Sequence, residues 1–520
     1  MRKIIIGSRG SDLALWQANF VQSRLQELSV ESEIKIISTQ GDRIQNLSFD
    51  KLEGKGFFTK EIEQALLDKM IDLAVHSHKD LETNQPKGLA IGAVSKRANP
   101  ADVLLIAKSA VDIRQKFNLK KSAIVGTSSA RRKNQLKLFR PDIELEDLRG
   151  NVPTRIDKLR KGNYDAIVLA QAGVSRLNLD LSEFHGEILD PKEFIPAPAQ
   201  GVLALQIRED DHELNKILSQ LNDIEVQQCV EVERKVLNLF NGGCQLPLGV
   251  YCELDDDEET YKVWCSKADN WKESPVLFYL EGRDRETLIP RLVNKINDHQ
   301  STSVFITRNL TENDLLYRSL GNKGYQLFGR ALIEIKRIPI KKVPQADWIF
   351  FSSKNAVKHF FGQNPEIKEG VKYGVIGKGT SEALRKFGHR PDFIGSSTNT
   401  KMTGKQFANK VGRDVVLFPQ AKGSFQTVQH QLLSKDQVKN LLVYESISHN
   451  EEAIPETDII FFTSPSNVEA FFKKNRLSKS QRVVAMGNAT ANALQKHRVI
   501  SYIMPDAFDE VAMARAVFRA

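Results

Sequence analysis

Arginines set beside small residues, where strand-like runs give way to helical ones, are the first groups in this chain that could do chemistry. GSRGSDLALWQ (7–17) carries Arg9 and Ser11, and GTSSARR (126–132) carries Thr127, Ser128, Ser129, Arg131 and Arg132. LRGNVPTR (148–155) adds Arg149 and Arg155, with Pro153 suited to a first helical turn, and Arg176 follows LAQAGVS. Helix N-termini offer free N–H groups and partial positive charge, and a guanidinium forks onto carboxylate or phosphate. One such loop is more often a solvated surface feature. Several in one stretch point to a polyanionic ligand.

Three further segments hold reactive types. GKGFFTKE (54–61) frames Lys55 with Gly54 and Gly56, a loop that could carry a cation over a site. It lacks the Gly-Lys-Ser/Thr ending of a nucleotide-phosphate loop, so no nucleotide is implied. DLAVHSHKDL (72–81) ends a strand-like run with Asp80, a candidate general acid/base or counter-ion, or simply a helix cap. His76 and His78 share a strand face there, but no third ligand stands at metal spacing, and no metal is expected. NGGCQLPLG (241–249) places Cys244 behind two glycines, where the backbone can take unusual angles and bring the thiol close to something. Such a thiol is a nucleophile or an attachment point, with core filler as the plainer reading. Cys229, Cys252 and Cys265 sit in helix- or strand-like settings and read as filler.

The elements that must position these groups alternate. Strands are expected at 2–8, 33–39, 72–77, 122–128 and 164–170, with helices over 11–25, 59–70 and 129–139. Strand, loop and helix in repeated order argue for mainly parallel α/β sheets, which bind ligands beyond the carboxyl ends of their strands. From 213 to 240 the pattern predicts one long helix leading into NGGCQ. An acidic run (253–259), two short strands and an amphipathic helix near 284–297 complete a small α/β appendage, and 298–303 reads as a linker.

Beyond it lies an internal repeat. IFFSSKNAVKHFF (349–361) matches IFFTSPSNVEAFF (460–472), and YGVIGKGTSEALRKFG (373–388) matches VVAMGNATANALQKH (483–497). Each copy reads strand, turn, helix, strand, glycine turn, helix. Two such lobes would hold a ligand between them.

Composition limits the alternatives. The 520 residues are 41% hydrophobic and 27% charged, as in globular proteins of several domains. No apolar run approaches a membrane span, the N-terminus lacks a signal-peptide core, and four cysteines cannot staple so large a chain. A reducing cytoplasm is the expectation. The charge of +9 is uneven: 42 Lys+Arg against 46 Asp+Glu over residues 1–300, and 32 against 19 over residues 301–520. The basic C-terminal part calls for an anionic partner. No nucleic-acid-binding motif is found, so an acidic small molecule is favoured.

Taken together, SRGSDLALWQ, GKGFFTKE, HSHKD, GTSSARR, LRGNVPTR, PAPAQG and NGGCQLPLG stand in the order seen in porphobilinogen deaminases, also called hydroxymethylbilane synthases. The chain resembles that family over residues 3–300. VFITR (304–308), FFTSPSNVEAFF (461–472) and AMGNATANAL (485–494) are similar to uroporphyrinogen-III synthases. The resemblance implies an α/β fold: two lobes like type 2 periplasmic binding proteins, a small domain with the cysteine loop, then a two-lobed α/β synthase. The implied divisions are 1–97 plus 198–212, 98–197, 213–300 and 301–520.

The resemblance also implies the chemistry. A dipyrromethane cofactor is carried as a thioether on Cys244. Porphobilinogen loses ammonia to give an azafulvene, which the free end of the growing chain attacks. After four rounds hydrolysis releases the linear tetrapyrrole. Asp80 matches the catalytic aspartate, counter-ion to the charged pyrrole nitrogen and proton shuttle, with Lys55 in support. Ser11, Lys79, Ser128, Arg131 and Arg132 match cofactor-holding positions. Arg9, Arg149, Arg155 and Arg176 match carboxylate-binding positions, and Phe58 a lid aromatic. In the second half, Ser352, Ser353, Thr463 and Ser464 are candidates to bind substrate carboxylates. Tyr444 matches a tyrosine that assists departure of the hydroxyl as the bilane closes with inversion of its last ring. The expected partners are porphobilinogen and the linear tetrapyrrole, with no nucleic acid or membrane, and the expected state is a monomer. Three positions depart from the family pattern: His78 for Met, Asp12 for Pro and Ala199 for Gly. His78 beside Asp80 is a candidate to shift the aspartate's titration.

Two other readings fit parts of the pattern. A carboxylate-binding module without turnover would account for the arginines, but not for the Gly-Gly-Cys loop. A deaminase with an inactive C-terminal half would not account for the intact repeat or its basic charge.

Overall fold

The structure is a computed structural model that describes residues 2–39, 59–240, 246–255, 259–297, 301–321, 323–396, 399–449 and 453–520. Lys55, Phe58 and Cys244 lie outside the described residues. The chain divides into two compact units, residues 1–111 with 119–297, and residues 112–118 with 298–520.

The first unit contains two five-stranded sheets of the same topology. One runs Ser32–Ile36, Ile4–Ser8, Leu73–Ser77, Leu203–Arg208, Leu89–Val94. The other runs Glu144–Glu146, Ile124–Gly126, Ala166–Ala170, Asp102–Ala107, Phe184–Leu189. In each, the first three strands are parallel, and the remaining two pairings are antiparallel. The sheets are therefore mixed: four of the five strands in each run one way, and a single strand, Leu203–Arg208 in the first and Asp102–Ala107 in the second, runs against them. The chain leaves the first sheet after Leu89–Val94 and re-enters it through Leu203–Arg208, and that return runs against its neighbours. Two crossovers join the sheets, and they bond to each other where the Ala98 N–H donates to the Gly201 carbonyl at 3.0 Å. Gly201 has φ +90°, and a Cβ there would lie 2.5 Å from the Ala98 carbonyl oxygen, so the crossing requires glycine. Ile4, Ile6, Leu73, Val75, Leu203, Leu205 and the helix Asp12–Glu27 build the core of the first sheet.

The long helix expected after residue 213 is two helices, His212–Leu218 and Ile224–Leu239. Asn222 accepts the Val94 N–H through its side chain at 2.9 Å, and Asp223 caps the second helix by accepting from the Val226 N–H at 3.0 Å. Both residues favour such side-chain-to-backbone bonds over helix continuation. The two strands expected after the acidic run are Thr260–Lys267 and Val276–Gly282, a further strand, Leu248–Asp255, precedes them in the same antiparallel sheet, and the helix Arg285–Asn297 follows.

In the second unit a parallel four-stranded sheet runs Tyr325–Gly329, Thr302–Ile306, Ile459–Phe462, Arg482–Ala485. A six-stranded sheet runs Ile333–Arg337, Val438–Ser448, Val416–Ala421, Trp348–Phe351, Lys372–Val375, Phe393–Ile394. The sequence repeat appears as matching pieces, one in each sheet. Trp348–Phe351 leads to the helix Lys354–Phe361, and Ile459–Phe462 to the helix Pro465–Phe472. Buried phenylalanines at 350, 351, 461 and 462 fill corresponding places in the two cores.

Candidate functional site

The strand Leu73–Ser77 ends in a 3-10 turn, His78–Asp80, that carries Lys79 half-buried and Asp80 exposed. The helix Ala130–Phe139 starts behind Ser129, whose side chain caps it, and brings Arg131 and Arg132 to buried positions. A carboxylate that sequence reasoning missed joins these groups. Asp102, fully buried at the start of its strand, pairs with Arg131 at 2.9 Å and with Arg132 at 2.8 Å. Gln200 donates to the same carboxylate at 3.0 Å and accepts from Lys79 Nζ at 3.3 Å. Burial alone would raise the Asp102 carboxyl, but Arg131 and Arg132 hold it well below the ordinary carboxylate range.

Burial pushes the Lys79 ammonium down to about 8, with Arg132 and Arg131 adding to the fall and Asp80 and Asp102 opposing it. Burial also lowers Arg155 to about 10; Arg132 pushes in the same direction, while Asp80 raises it. Lys79, Arg131, Arg132, Arg155, Asp80 and Asp102 therefore form one electrostatic neighbourhood. The buried Nε of Arg132 has no hydrogen-bond partner. An excess of cationic donors, one of them unsatisfied, fits a group bearing several carboxylates.

Other expected residues frame this cluster. Asn151 caps the helix Val152–Arg160, which carries Arg155, by accepting from the Thr154 N–H at 2.9 Å. Arg155 Nε donates to the Gly150 carbonyl at 2.7 Å. Arg149 precedes this helix and is half-buried. Ser128 exchanges hydrogen bonds with the Leu148 backbone at 3.0 Å, so its hydroxyl ties two loops together. Arg176 donates to the Gly201 carbonyl at 2.8 Å, lies 5.6 Å from the Trp16 ring centroid, and is lowered to about 10 by burial. Arg9 and Ser11 stand half-buried between Ile4–Ser8 and the first helix, and Ser11 holds the cap position without a side-chain cap bond.

The two histidines are core residues. His76 Nε2 lies 3.1 Å from Gln206 Oε1, and His78 is buried with an unpartnered Nδ1. Burial lowers them to about 4 and about 3, so His78 carries no charge at neutral pH with which to shift Asp80. Beside the crossovers, Glu233 is fully buried in the helix Ile224–Leu239 and takes both arms of Arg97 at 2.8 and 3.0 Å. It also accepts the N–H groups of Ala199 at 2.6 Å and Cys252 at 2.8 Å. This carboxylate ties both crossovers to the helix Ile224–Leu239 and the strand Leu248–Asp255, the described elements on either side of Cys244 in sequence.

In the second unit, Ser353 and Ser464 cap their helices, accepting from Ala356 N–H at 3.0 Å and Asn467 N–H at 3.3 Å. Thr463 Oγ1 donates to the Thr307 carbonyl at 3.0 Å. Ser352 is exposed. Tyr444 is buried, its hydroxyl 3.1 Å from Ser353 Oγ and its ring stacked on His359, and burial raises its phenol. The structure thus joins Tyr444 to Ser353, and Thr463 to Ser464 through Asn467, which donates to both at 3.1 and 2.9 Å.

A two-sheet α/β unit with a buried cation cluster where its crossovers meet is the kind of site that suits an anionic ligand. Comparison with known proteins narrows this. Residues 4–216 match the family model described as porphobilinogen deaminase, dipyrromethane cofactor binding domain, and residues 227–266 match the porphobilinogen deaminase C-terminal domain. Residues 314–515 match uroporphyrinogen-III synthase HemD. A porphobilinogen deaminase of Helicobacter acinonychis is 45% identical over 255 residues, covering 49% of this chain and 81% of that one. One of Bacillus subtilis is 45% identical over 261 residues, covering 50% and 82%. Among solved structures, a uroporphyrinogen-III synthetase from Helicobacter pylori aligns with 42% of this chain and 100% of its own at 18% identity, TM-score 0.32. The chain belongs to the porphobilinogen deaminase family, with a uroporphyrinogen-III synthase region fused behind it.

Proposed function

We propose that the chain performs two consecutive steps, polymerising four porphobilinogens with loss of ammonia and then closing the linear tetrapyrrole to uroporphyrinogen III. The observation that carries the first step is the cation cluster of Lys79, Arg131, Arg132 and Arg155 with Asp80 exposed at its edge. Each pyrrole brings two carboxylates, and buried guanidiniums are suited to holding them. The dipyrromethane, carried on Cys244, supplies a tethered primer whose free pyrrole end is the nucleophile. Asp80 faces the positive charge that develops on the pyrrole nitrogen of incoming substrate as ammonia leaves, and accepts the proton lost when aromaticity returns. Arg131, Arg132, Lys79, Ser11 and Ser128 hold the cofactor side. Arg9, Arg149, Arg155, Arg176 and Phe58 hold substrate, and Lys55 assists.

For the second step, the buried Tyr444 hydroxyl, poised by Ser353, donates a proton to the departing hydroxyl. Ser352, Thr463 and Ser464 contribute to holding substrate carboxylates. The described cysteines are buried thiols, as a reducing cytoplasm keeps them. No helix among the described residues is long and apolar enough to cross a membrane. The reading is of a monomer acting on small pyrroles, without nucleic acid.

Replacing Asp80 by Asn tests the deaminase assignment. Porphobilinogen consumption falls by about 10²–10⁴-fold while the cofactor stays attached, the size expected for a lost acid/base group. Undiminished turnover would remove Asp80 from the chemistry.

A further inference from the structure

Asp102 has no role in the chemistry just described, yet three donors from two separate parts of the chain converge on it. Arg131 and Arg132 come from the helix Ala130–Phe139, and Gln200 from the second crossover. Each partner is pinned a second time. Arg131 donates to the Ile195 carbonyl at 2.8 Å, Arg132 to the Val168 carbonyl at 3.1 Å, and Gln200 to the Pro100 carbonyl at 2.7 Å. A guanidinium held at two points presents its remaining N–H groups in fixed directions. The remaining end of Gln200, its Oε1, accepts from Lys79. Satisfying one buried carboxylate would need a single arginine. Two arginines, and an amide that reaches a lysine from the other sheet, exceed that need.

We infer that Asp102 is a positioning residue, whose buried carboxylate fixes Arg131 and Arg132 directly, and Lys79 through Gln200, into one pre-set arrangement for binding pyrrole carboxylates. The inference rests on the reading that these cations hold cofactor and substrate. Pre-set donors bind without being ordered at the moment of contact, which is where preorganisation gains affinity. The carboxylate also offsets the mutual repulsion of the two adjacent guanidiniums, and opposes the lowering that burial imposes on Arg131.

Two substitutions separate geometry from charge. In Asp102→Asn the amide NH₂ turns a donor toward one guanidinium. In Asp102→Glu the charge stays but moves by a methylene. Three quantities are read on the full chain: the fraction carrying the dipyrromethane mass, KM against kcat for porphobilinogen, and the pH profile. Asp102→Asn lowers the loaded fraction and raises KM in the loaded protein by about tenfold, with kcat changed by less than about threefold. Its alkaline limb moves to lower pH, because Asp102 and Asp80 are the carboxylates that sustain the charge of Lys79 against Arg131 and Arg132. Asp102→Glu raises KM and leaves the limb in place. If Asp102→Asn does not fold, as judged by circular dichroism, Asp102→Glu carries the test alone. Wild-type loading and KM in every folded variant would overturn the inference. A wild-type chain that carries no dipyrromethane and consumes no porphobilinogen would instead overturn the functional reading beneath it.

Discussion

Removing the Glu233 carboxylate exposes how the crossovers and the three-stranded sheet are held together. The side chain is fully buried and accepts four hydrogen bonds, two from Arg97 and one each from the backbone of Ala199 and Cys252. Glu233→Ala leaves the Arg97 guanidinium, only 12% exposed, without its counter-charge. Breaking a buried pair from one side costs about 3–5 kcal/mol. The two orphaned N–H groups each cost about 1–3 kcal/mol, less whatever water entering the vacated space returns. A total near 5 kcal/mol is expected, and about 3 kcal/mol for Glu233→Gln, which keeps one acceptor oxygen. Because the chain has several domains, the assay is its first urea transition combined with amide exchange. The Ala199 and Cys252 amides should exchange more than about a hundredfold faster in Glu233→Ala. A loss below about 1 kcal/mol, with both amides still protected, would refute the reasoning.

Three further outcomes follow from the same coordinates. Lys79, lowered to about 8, loses its charge as pH rises through that value, so kcat/KM for porphobilinogen falls above about pH 8. Lys79→Arg moves that limb upward, and an unmoved limb would exclude Lys79 as its source. His76 and His78, depressed in the folded state to about 4 and about 3, stay neutral there while their unfolded forms charge below about 6.5. Their contribution to stability is complete above pH 6.5 and is lost as pH falls toward those values. The double variant His76→Gln/His78→Met should flatten this acid slope in denaturation curves, and His78→Met alone should leave the pH–rate profile unchanged. Ala199 occupies φ +61°, a left-handed conformation costing about 1–2 kcal/mol for a residue with a side chain. Ala199→Gly should raise stability by about 0.5–1 kcal/mol after the extra freedom of the unfolded chain is deducted, and a lower melting temperature would contradict this.

The elements were largely legible because local patterning decides them. IIIGS reads as a strand from its apolar run, and the first helix was placed to within two residues at its C-terminal end. The direction of the one reversed strand was not legible, since it depends on where the chain re-enters a sheet after about a hundred residues of another. The break at 219–223 was missed because the Asn222 side chain bonds the Val94 N–H, a partner more than a hundred positions away. Arg131 and Arg132 stand out in the sequence as candidate anion binders by type and setting, and the structure pairs both with the internal carboxylate of Asp102. Asp102 was not legible, because an acid opening the run DVLLIA looks like a solvated strand end. Glu233 likewise reads as the exposed face of a charged helix until Arg97, Ala199 and Cys252 close around it. The one signal that was available is that each acid stands among buried apolar neighbours in sequence, Val103 and Leu104 for one, Val232 and Val236 for the other.

The claim that both halves work in series is tested most directly by the products. Purified chain is given porphobilinogen alone, and the products are oxidised and separated as uroporphyrin isomers. The account predicts mostly isomer III from the intact chain, and a shift toward isomer I, the product of spontaneous closure, in Tyr444→Phe with consumption of porphobilinogen unchanged. Mostly isomer I from the intact chain would contradict it, leaving a deaminase joined to a region that does not close the ring.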